Sequence, residues 1–358
     1  MDPHSLVRLG WRPFFQQQLS IEEYERALVV RVAEVQRSVL FGLSEQEYER
    51  VQVELSGHER WSERVTVGDW VLADTQGDQH YLLRVLDREN GIVRKAAGSA
   101  VATQWLSANL DAVFIAMACD QQFSVNRLER YLAVVVDAGI TPVFVLTKAD
   151  CVADPQALLT QLPGGYAALA IDTRDAVQLS GLAPYLQRGC TVAVIGMSGA
   201  GKSTLVNTLL GTQAQRTSAV RDDDGHGRHT TTSRNLLALP DGAWIIDTPG
   251  MRELQLAGSE ESIARVFPDV DALVHVCRFA DCQHSSEPGC AVRAALDSAA
   301  LDDRRWQSYR KLQREQAFAD RQLTAHHERV AQRRQFTRQV KRSVNAKKKL
   351  RNTSFDTD

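Results

Sequence analysis

Two groups of residues in this 358-residue chain have types and spacings that do chemistry. The first is GMSGAGKS at 196–203. Its glycines, Gly196, Gly199 and Gly201, let successive backbone N–H groups turn inward onto phosphate oxygens at a helix N-terminus. Lys202 is placed to reach the β- and γ-phosphates of a nucleotide, and Ser203 to ligate Mg²⁺. The run Gly196, Met197, Ser198, Gly199, Ala200, Gly201, Lys202, Ser203 and Thr204 is the expected phosphate cradle. The second group is Cys277, Cys282, His284 and Cys290. Three thiolates and an imidazole within 14 residues suit a closed tetrahedral Zn²⁺ site with no open position for catalysis.

Further elements complete the nucleotide chemistry. WIIDTPG reads as an apolar strand ending in Asp247, placed to hold Mg²⁺ through water, with the Gly250 N–H able to sense the γ-phosphate. Between it and the phosphate loop lies RDDDGHGRHTTTSRN, where one of Thr230, Thr231 and Thr232, with Thr231 assigned here, completes the Mg²⁺ shell when nucleotide is bound. VFVLTKAD at 143–150 ends in a carboxylate, Asp150, that can accept both N–H donors of a guanine edge. Adenine offers no matching pair, so charge-assisted bonds of about 1.5–3 kcal/mol each discriminate between the bases. Thr147 opens this element, and the aliphatic stem of Lys148 can lie along the base.

The elements that must position these residues change character along the chain. Residues 1–27 hold two short helical stretches, the second opened by Ser20 with Glu23 three residues on, a capping-box pattern. From 28 to 101, ALVVRVAEV, VQVELSG, VTVGDWVLAD, HYLLRVLD and GIVRKA form five strand candidates, enough for a small OB-type β-barrel. From 102 to 267 the pattern is α/β: DAVFIAMA, TPVFVLTKAD, YAALAID, TVAVIGMSG and AWIIDTPG read as strands buried on both faces of a mostly parallel sheet. RNLLALPDGAWIID folds back on itself at Pro240-Asp241-Gly242 as an antiparallel hairpin. Residues 268–312 hold the Cys/His group, and 313–358 form a polar, Arg-rich tail with helix-forming composition. Trp11, Phe14 and Phe15 read as core packing.

The formal net charge of −2 hides an asymmetry: from Asp302 onward the count is 16 Lys+Arg against 7 Asp+Glu. Between Arg333 and Arg351 there are 9 basic residues and no acid, a footprint for nucleic-acid phosphates. No apolar run approaches the roughly 20 residues that cross a bilayer, and the start lacks a signal-peptide core, so a cytoplasmic protein with no membrane partner is expected.

The order TKAD, GMSGAGKS, GRHTTT, DTPG, with a barrel before it and C-x4-C-x-H-x5-C after it, resembles the circularly permuted GTPases of the RsgA (YjeQ-type) small ribosomal subunit biogenesis family. The resemblance covers about residues 28–312. It implies GTP/GDP, Mg²⁺ and one structural Zn²⁺ as ligands. It also implies hydrolysis coupled to late maturation of the small ribosomal subunit, with the barrel and zinc element on its rRNA. A monomer is expected, and no DNA partner. The resemblance places a histidine, His229, near the γ-phosphate as the water-positioning group, because Met251 stands where Ras-like enzymes put glutamine. Lys202, Thr231 and His229 are then the expected catalytic residues. Thr147 occupies a position where the family usually has Asn, and Ile171, Asp172 and Thr173 stand where a serine-alanine backbone contact to guanine is expected. The rival readings are an ATP-dependent enzyme sharing only the phosphate loop, and an RNA chaperone or stress-linked RNA-binding protein whose hydrolysis is only a regulatory switch.

Overall fold

The computed structural model describes residues 3–45, 50–55, 64–95, 103–211, 234–247 and 259–321. Three short helices open it: α1 (Pro3–Val7), α2 (Pro13–Gln16) and α3 (Ile21–Arg26). The capping box of α3 is complete, with the Ser20 N–H donating to Glu23 Oε2 at 2.8 Å and the Glu23 N–H to Ser20 Oγ at 3.2 Å. Trp11 and Phe15 are buried and pack around Trp70 of the barrel, as core-packing residues do.

The barrel closes from β1 (Leu28–Val35), β2 (Val39–Leu43), β3 (Arg50–Glu54), β4 (Trp70–Gln76) and β5 (Gln79–Val85) in the order β1-β2-β3-β5-β4. Two strands differ from the sequence reading of the barrel. The second barrel strand is VLFGL, whose turn from β1 at Gln36–Ser38 carries no Gly, Pro, Asn or Asp to announce it. GIVRK forms β6 (Gly91–Lys95), which pairs instead with β7 (Thr103–Ala108) in a separate ribbon. The parallel β3–β5 pairing and the antiparallel β1–β4 pairing already close the barrel, so no edge is left for β6 to join.

Residues 112–247 build the six-stranded sheet, ordered β10-β9-β8-β11-β13-β12. Its members are β8 (Ala112–Ala118), β9 (Thr141–Thr147), β10 (Ala167–Ala170), β11 (Thr191–Ile195), β12 (Asn235–Ala238) and β13 (Trp244–Asp247). Every pairing is parallel except the β12–β13 hairpin, which turns at Gly242 with φ of 84°. Alternate residues sort to opposite faces. Val113, Ile115, Phe144, Leu146 and Ile195 meet α4 (Val125–Asp137) and the C-terminal helices, whereas Phe114, Val143, Val145 and Val194 meet residues 178–185 and α6 (Lys202–Leu210). Burial on both faces is why these strands read as unbroken apolar runs rather than alternating ones. Between β9 and β10 lies α5 (Pro155–Leu159), N-capped by Asp154.

Barrel and sheet share a seam. The buried Arg31 guanidinium on β1 donates to the carbonyls of Leu9 and Asn109 and to Thr191 Oγ1, at 3.1–3.2 Å. It thereby joins the N-terminal helices, the barrel and the first residue of β11. At the other end, α7 (Glu260–Val266) packs on α4, α8 (Pro268–His275) on α7 and α9 (Ala291–Asp297) on α8, and α10 (303–321) is joined to α4 through Glu129. Glu129 of α4 is fully buried and accepts from Arg304 at 3.2 Å, Arg305 at 3.0 Å and Ser308 at 2.6 Å. Arg305 also grips Asp269 at 2.6 Å and the Val266 carbonyl at 3.1 Å. Removing one partner of such a buried pair costs about 3–5 kcal/mol, so the C-terminal helices are held to the sheet domain through Glu129.

Candidate functional site

The phosphate loop leaves the buried β11 and enters α6 at Lys202. Gly196 has φ of 147°, and a Cβ there would run into the Ala116 carbonyl, so only glycine lets the loop leave the strand at this angle. Gly201 caps α6 with φ of 73°, and a Cβ there would meet Thr147 Oγ1 at 3.1 Å. Lys202 Nζ donates to the Met197 carbonyl at 2.6 Å, folding back over the loop whose phosphate it is expected to hold. A nine-residue helix with its N-terminus at this loop, glycines whose positive φ would strain any side chain, and a lysine over the turn together fit a phosphate chain.

The TKAD element is brought beside this loop although it comes about 50 residues earlier in the sequence. Thr147 is completely buried at the end of β9, and its hydroxyl donates to the Ala200 carbonyl at 3.0 Å, with the Met117 carbonyl 3.4 Å away. Its hydroxyl therefore supplies a brace to the phosphate loop at the position where the resemblance has an asparagine. Lys148 follows in the left-handed region, φ of 55°, a conformation costing roughly 1–2 kcal/mol for a residue with a Cβ. Its ammonium is fixed by Asp120 Oδ2 at 2.8 Å, and that bond holds the Asp120 carboxyl below its usual range. Asp120 was not singled out from sequence; a carboxylate just past the end of β8, the strand beside β9, is the signal that would have found it. Neighbouring Cys119 is buried, which pushes its thiol up to about 11, so it is not a nucleophile at neutral pH.

Asp150 sits on the 3₁₀ turn Ala149–Cys151 with its side chain about one-third exposed. Arg174 Nη2 donates to Asp150 Oδ2 at 2.7 Å and to Asp172 Oδ2 at 2.9 Å. The loop carrying Arg174 stands where a serine-alanine backbone contact was expected. There the Ile171 N–H donates to the Leu146 carbonyl at 2.8 Å and the Asp172 N–H to Gln178 Oε1 at 2.9 Å, so two of its N–H groups are engaged within the fold.

Asp247 ends β13, level with Asn235 across the hairpin, and β13 lies beside β11, so the strand end is at the phosphate-loop edge of the sheet. His229, Thr230, Thr231, Thr232, Gly250 and Met251 lie outside the described residues, as does the basic stretch 333–351.

The second site is the Cys/His group. The ligand atoms of Cys277, Cys282, His284 and Cys290 all lie within 4.8 Å of one another. Cys277 Sγ is 3.5 Å from His284 Nδ1 and 4.0 Å from Cys290 Sγ, and Cys290 Sγ is 3.6 Å from His284 Nδ1. A tetrahedron with Zn–S of about 2.3 Å and Zn–N of about 2.0–2.1 Å has edges of roughly 3.5–3.8 Å, close to the spacings among Cys277, His284 and Cys290. Burial opposes ionisation of Cys277, but the backbone N–H groups of Val292 and Ala291 outweigh it and hold its thiol below the ordinary value. Cys290 N-caps α9, and the His284 ring packs edge-on against Trp306 of α10 at 5.4 Å. The Cys/His group, the start of α9 and α10 are thus one packed unit.

The RsgA GTPase family model matches residues 85–257. An ABC transporter model matches 179–350, a span that shares the phosphate loop with the first match. A small ribosomal subunit biogenesis GTPase RsgA 2 from Vibrio vulnificus is 46% identical over 319 residues, covering 88% of this chain and 89% of that protein. A protein of the same name from Vibrio parahaemolyticus is 46% identical over 353 residues, covering 98% and 95%. Among solved structures, YjeQ from Thermotoga maritima matches with a TM-score of 0.60 at 23% identity, covering 81% of this chain and 99% of that one. YloQ, described as a circularly permuted GTPase, matches at 0.57 and 24% identity, covering 84% and 98%. Both share the fold of this chain.

Proposed function

The chain belongs to the RsgA GTPase family, and from that premise we propose that it binds GTP between Asp150 and the phosphate loop, hydrolyses it, and assists late maturation of the small ribosomal subunit. The observation that carries this reading is the Thr147–Ala200 bond, which joins a guanine-reading strand end to a phosphate loop that follows it in sequence. Two motifs in reversed order make one nucleotide site only if they meet in space.

In this site Asp150 accepts from the guanine edge and Lys148, fixed by Asp120, lies along the base. The cradle from Gly196 to Thr204 holds the phosphates, and Lys202 leaves the Met197 carbonyl to neutralise charge on the β- and γ-phosphates as the bond to the γ-phosphoryl breaks. Mg²⁺, held by Ser203 and through water by Asp247, supplies further neutralisation of that charge when bound. Gly250 senses the γ-phosphate, Thr231 completes the ion's shell and His229 positions the attacking water. GTP binding changes how the barrel, the zinc element and the basic 333–351 stretch grip the rRNA, and hydrolysis releases the subunit. The protein acts as a cytoplasmic monomer without a membrane or DNA partner; among the described residues no helix is long and apolar enough to cross a membrane.

With no glutamine after DTPG, unassisted turnover is expected on the order of 10⁻⁴ to 10⁻² s⁻¹, rising when small subunits are added. Steady-state GTP hydrolysis measured with and without purified small subunits checks this. Equal rates would remove the claim of activation by the subunit, and a Lys202→Ala protein that retains full cellular function would favour the RNA chaperone reading instead.

A further inference from the structure

We infer that Arg174 is a positioning residue for guanine recognition: it holds the Asp150 carboxylate in place from the neighbouring loop while the base is bound. The inference rests on the reading of Asp150 given above.

Asp150 has the weaker support of the two residues that define this element. Thr147 is buried and bonded into the phosphate loop, whereas Asp150 projects from an exposed three-residue turn. A carboxylate free to rotate there would meet a guanine edge in many orientations. Arg174 removes that freedom, because it is itself anchored. Its Nε donates to Asp172 Oδ1 at 3.0 Å, its Nη2 to Asp172 Oδ2 at 2.9 Å, and its backbone N–H to Asp172 Oδ1 at 3.0 Å. With the fork seated on Asp172, the same Nη2 reaches Asp150 Oδ2 at 2.7 Å. A planar guanidinium can bridge two carboxylates in this way, and an ammonium on a flexible stem cannot do so in a fixed geometry.

Arg174 can keep its place when guanine arrives. The Arg174 contact and the Cys151 thiol at 3.6 Å both fall on Asp150 Oδ2. An ionised carboxylate offers about four acceptor positions and the guanine edge needs two, so base and arginine can share it. The loop holding Arg174 also has two of its N–H groups engaged internally, which makes its contribution to this site an ion pair rather than a backbone contact.

Displacement of a fluorescent GDP analogue by GTP and by ITP tests the idea, because ITP lacks the exocyclic amine that Asp150 reads. Arg174→Ala is expected to weaken GTP about fivefold and ITP less, shrinking the preference for GTP. Asp172→Asn, which frees the anchor, acts in the same direction, and Arg174→Lys restores only part of the preference. An Arg174→Ala protein that binds GTP as tightly as the parent, or more tightly, with the GTP/ITP preference intact would overturn the inference. Asp150→Asn separates the two levels. If it too leaves the preference intact, the reading of Asp150 is wrong; if it abolishes the preference and Arg174→Ala does not, only the role of Arg174 is wrong.

Discussion

Thr147 shows how much a single buried hydroxyl can carry. It has one proton to give, and the Ala200 carbonyl, at 3.0 Å, takes it in preference to the Met117 carbonyl at 3.4 Å. Thr147→Val keeps the shape and leaves Ala200 without its donor in a fully buried position, which costs about 1–3 kcal/mol. The expected outcome is a lower denaturation midpoint together with weaker binding of GTP and GDP alike, since the brace acts on the loop whichever nucleotide it holds. Thermal unfolding and nucleotide titration of the variant check both parts. An unchanged midpoint with unchanged affinity would mean that Thr147 does not brace the loop. At this scale the sequence was legible where chemistry repeats a local spacing, as in GMSGAGKS and the Cys/His group. It was silent on Asp120 and Arg174, whose partners Lys148 and Asp150 lie 28 and 24 residues away and meet them only after β8, β9 and the 171–174 loop have folded.

Among the elements, strands buried on both faces were readable as apolar runs, and the β12–β13 hairpin was readable from Pro240-Asp241-Gly242. The barrel was harder. Strand β2 follows β1 through Gln36–Ser38, a turn with no Gly, Pro, Asn or Asp, and VLFGL is not among the strands read from sequence. Strand β6 has the same period-two pattern as its neighbours and is kept out only because closure leaves no edge. Pattern identifies a strand; pairing decides where it goes. The zinc element makes the converse point, because its ligands also organise helices: Cys290 starts α9, and His284 rests on Trp306 of α10. Zinc binding is worth roughly 10–16 kcal/mol in small peptides, enough to fold a segment with little core of its own. Chelation, or Cys290→Ala, is therefore expected to release one Zn²⁺ per chain, lower the thermal midpoint and expose the region after Pro268 to protease. A chelated protein with an unchanged midpoint and digestion pattern would contradict a structural metal.

On the scale of the whole molecule, the sheet that carries the phosphate loop is tied to two other bodies. Arg31 ties the barrel to Thr191 at the start of the strand that feeds the phosphate loop, and Glu129 ties the helix following Asp120 to the C-terminal helices. Arg31 and Glu129 are both buried, so the sheet is held firmly to the barrel and to the C-terminal helices. That arrangement suits a GTPase whose nucleotide state sets its grip on a large partner. The direct test is co-sedimentation of the protein with small ribosomal subunits in a non-hydrolysable GTP analogue and in GDP. The account predicts retention with the GTP analogue and loss with GDP, and equal retention in both nucleotides would contradict it.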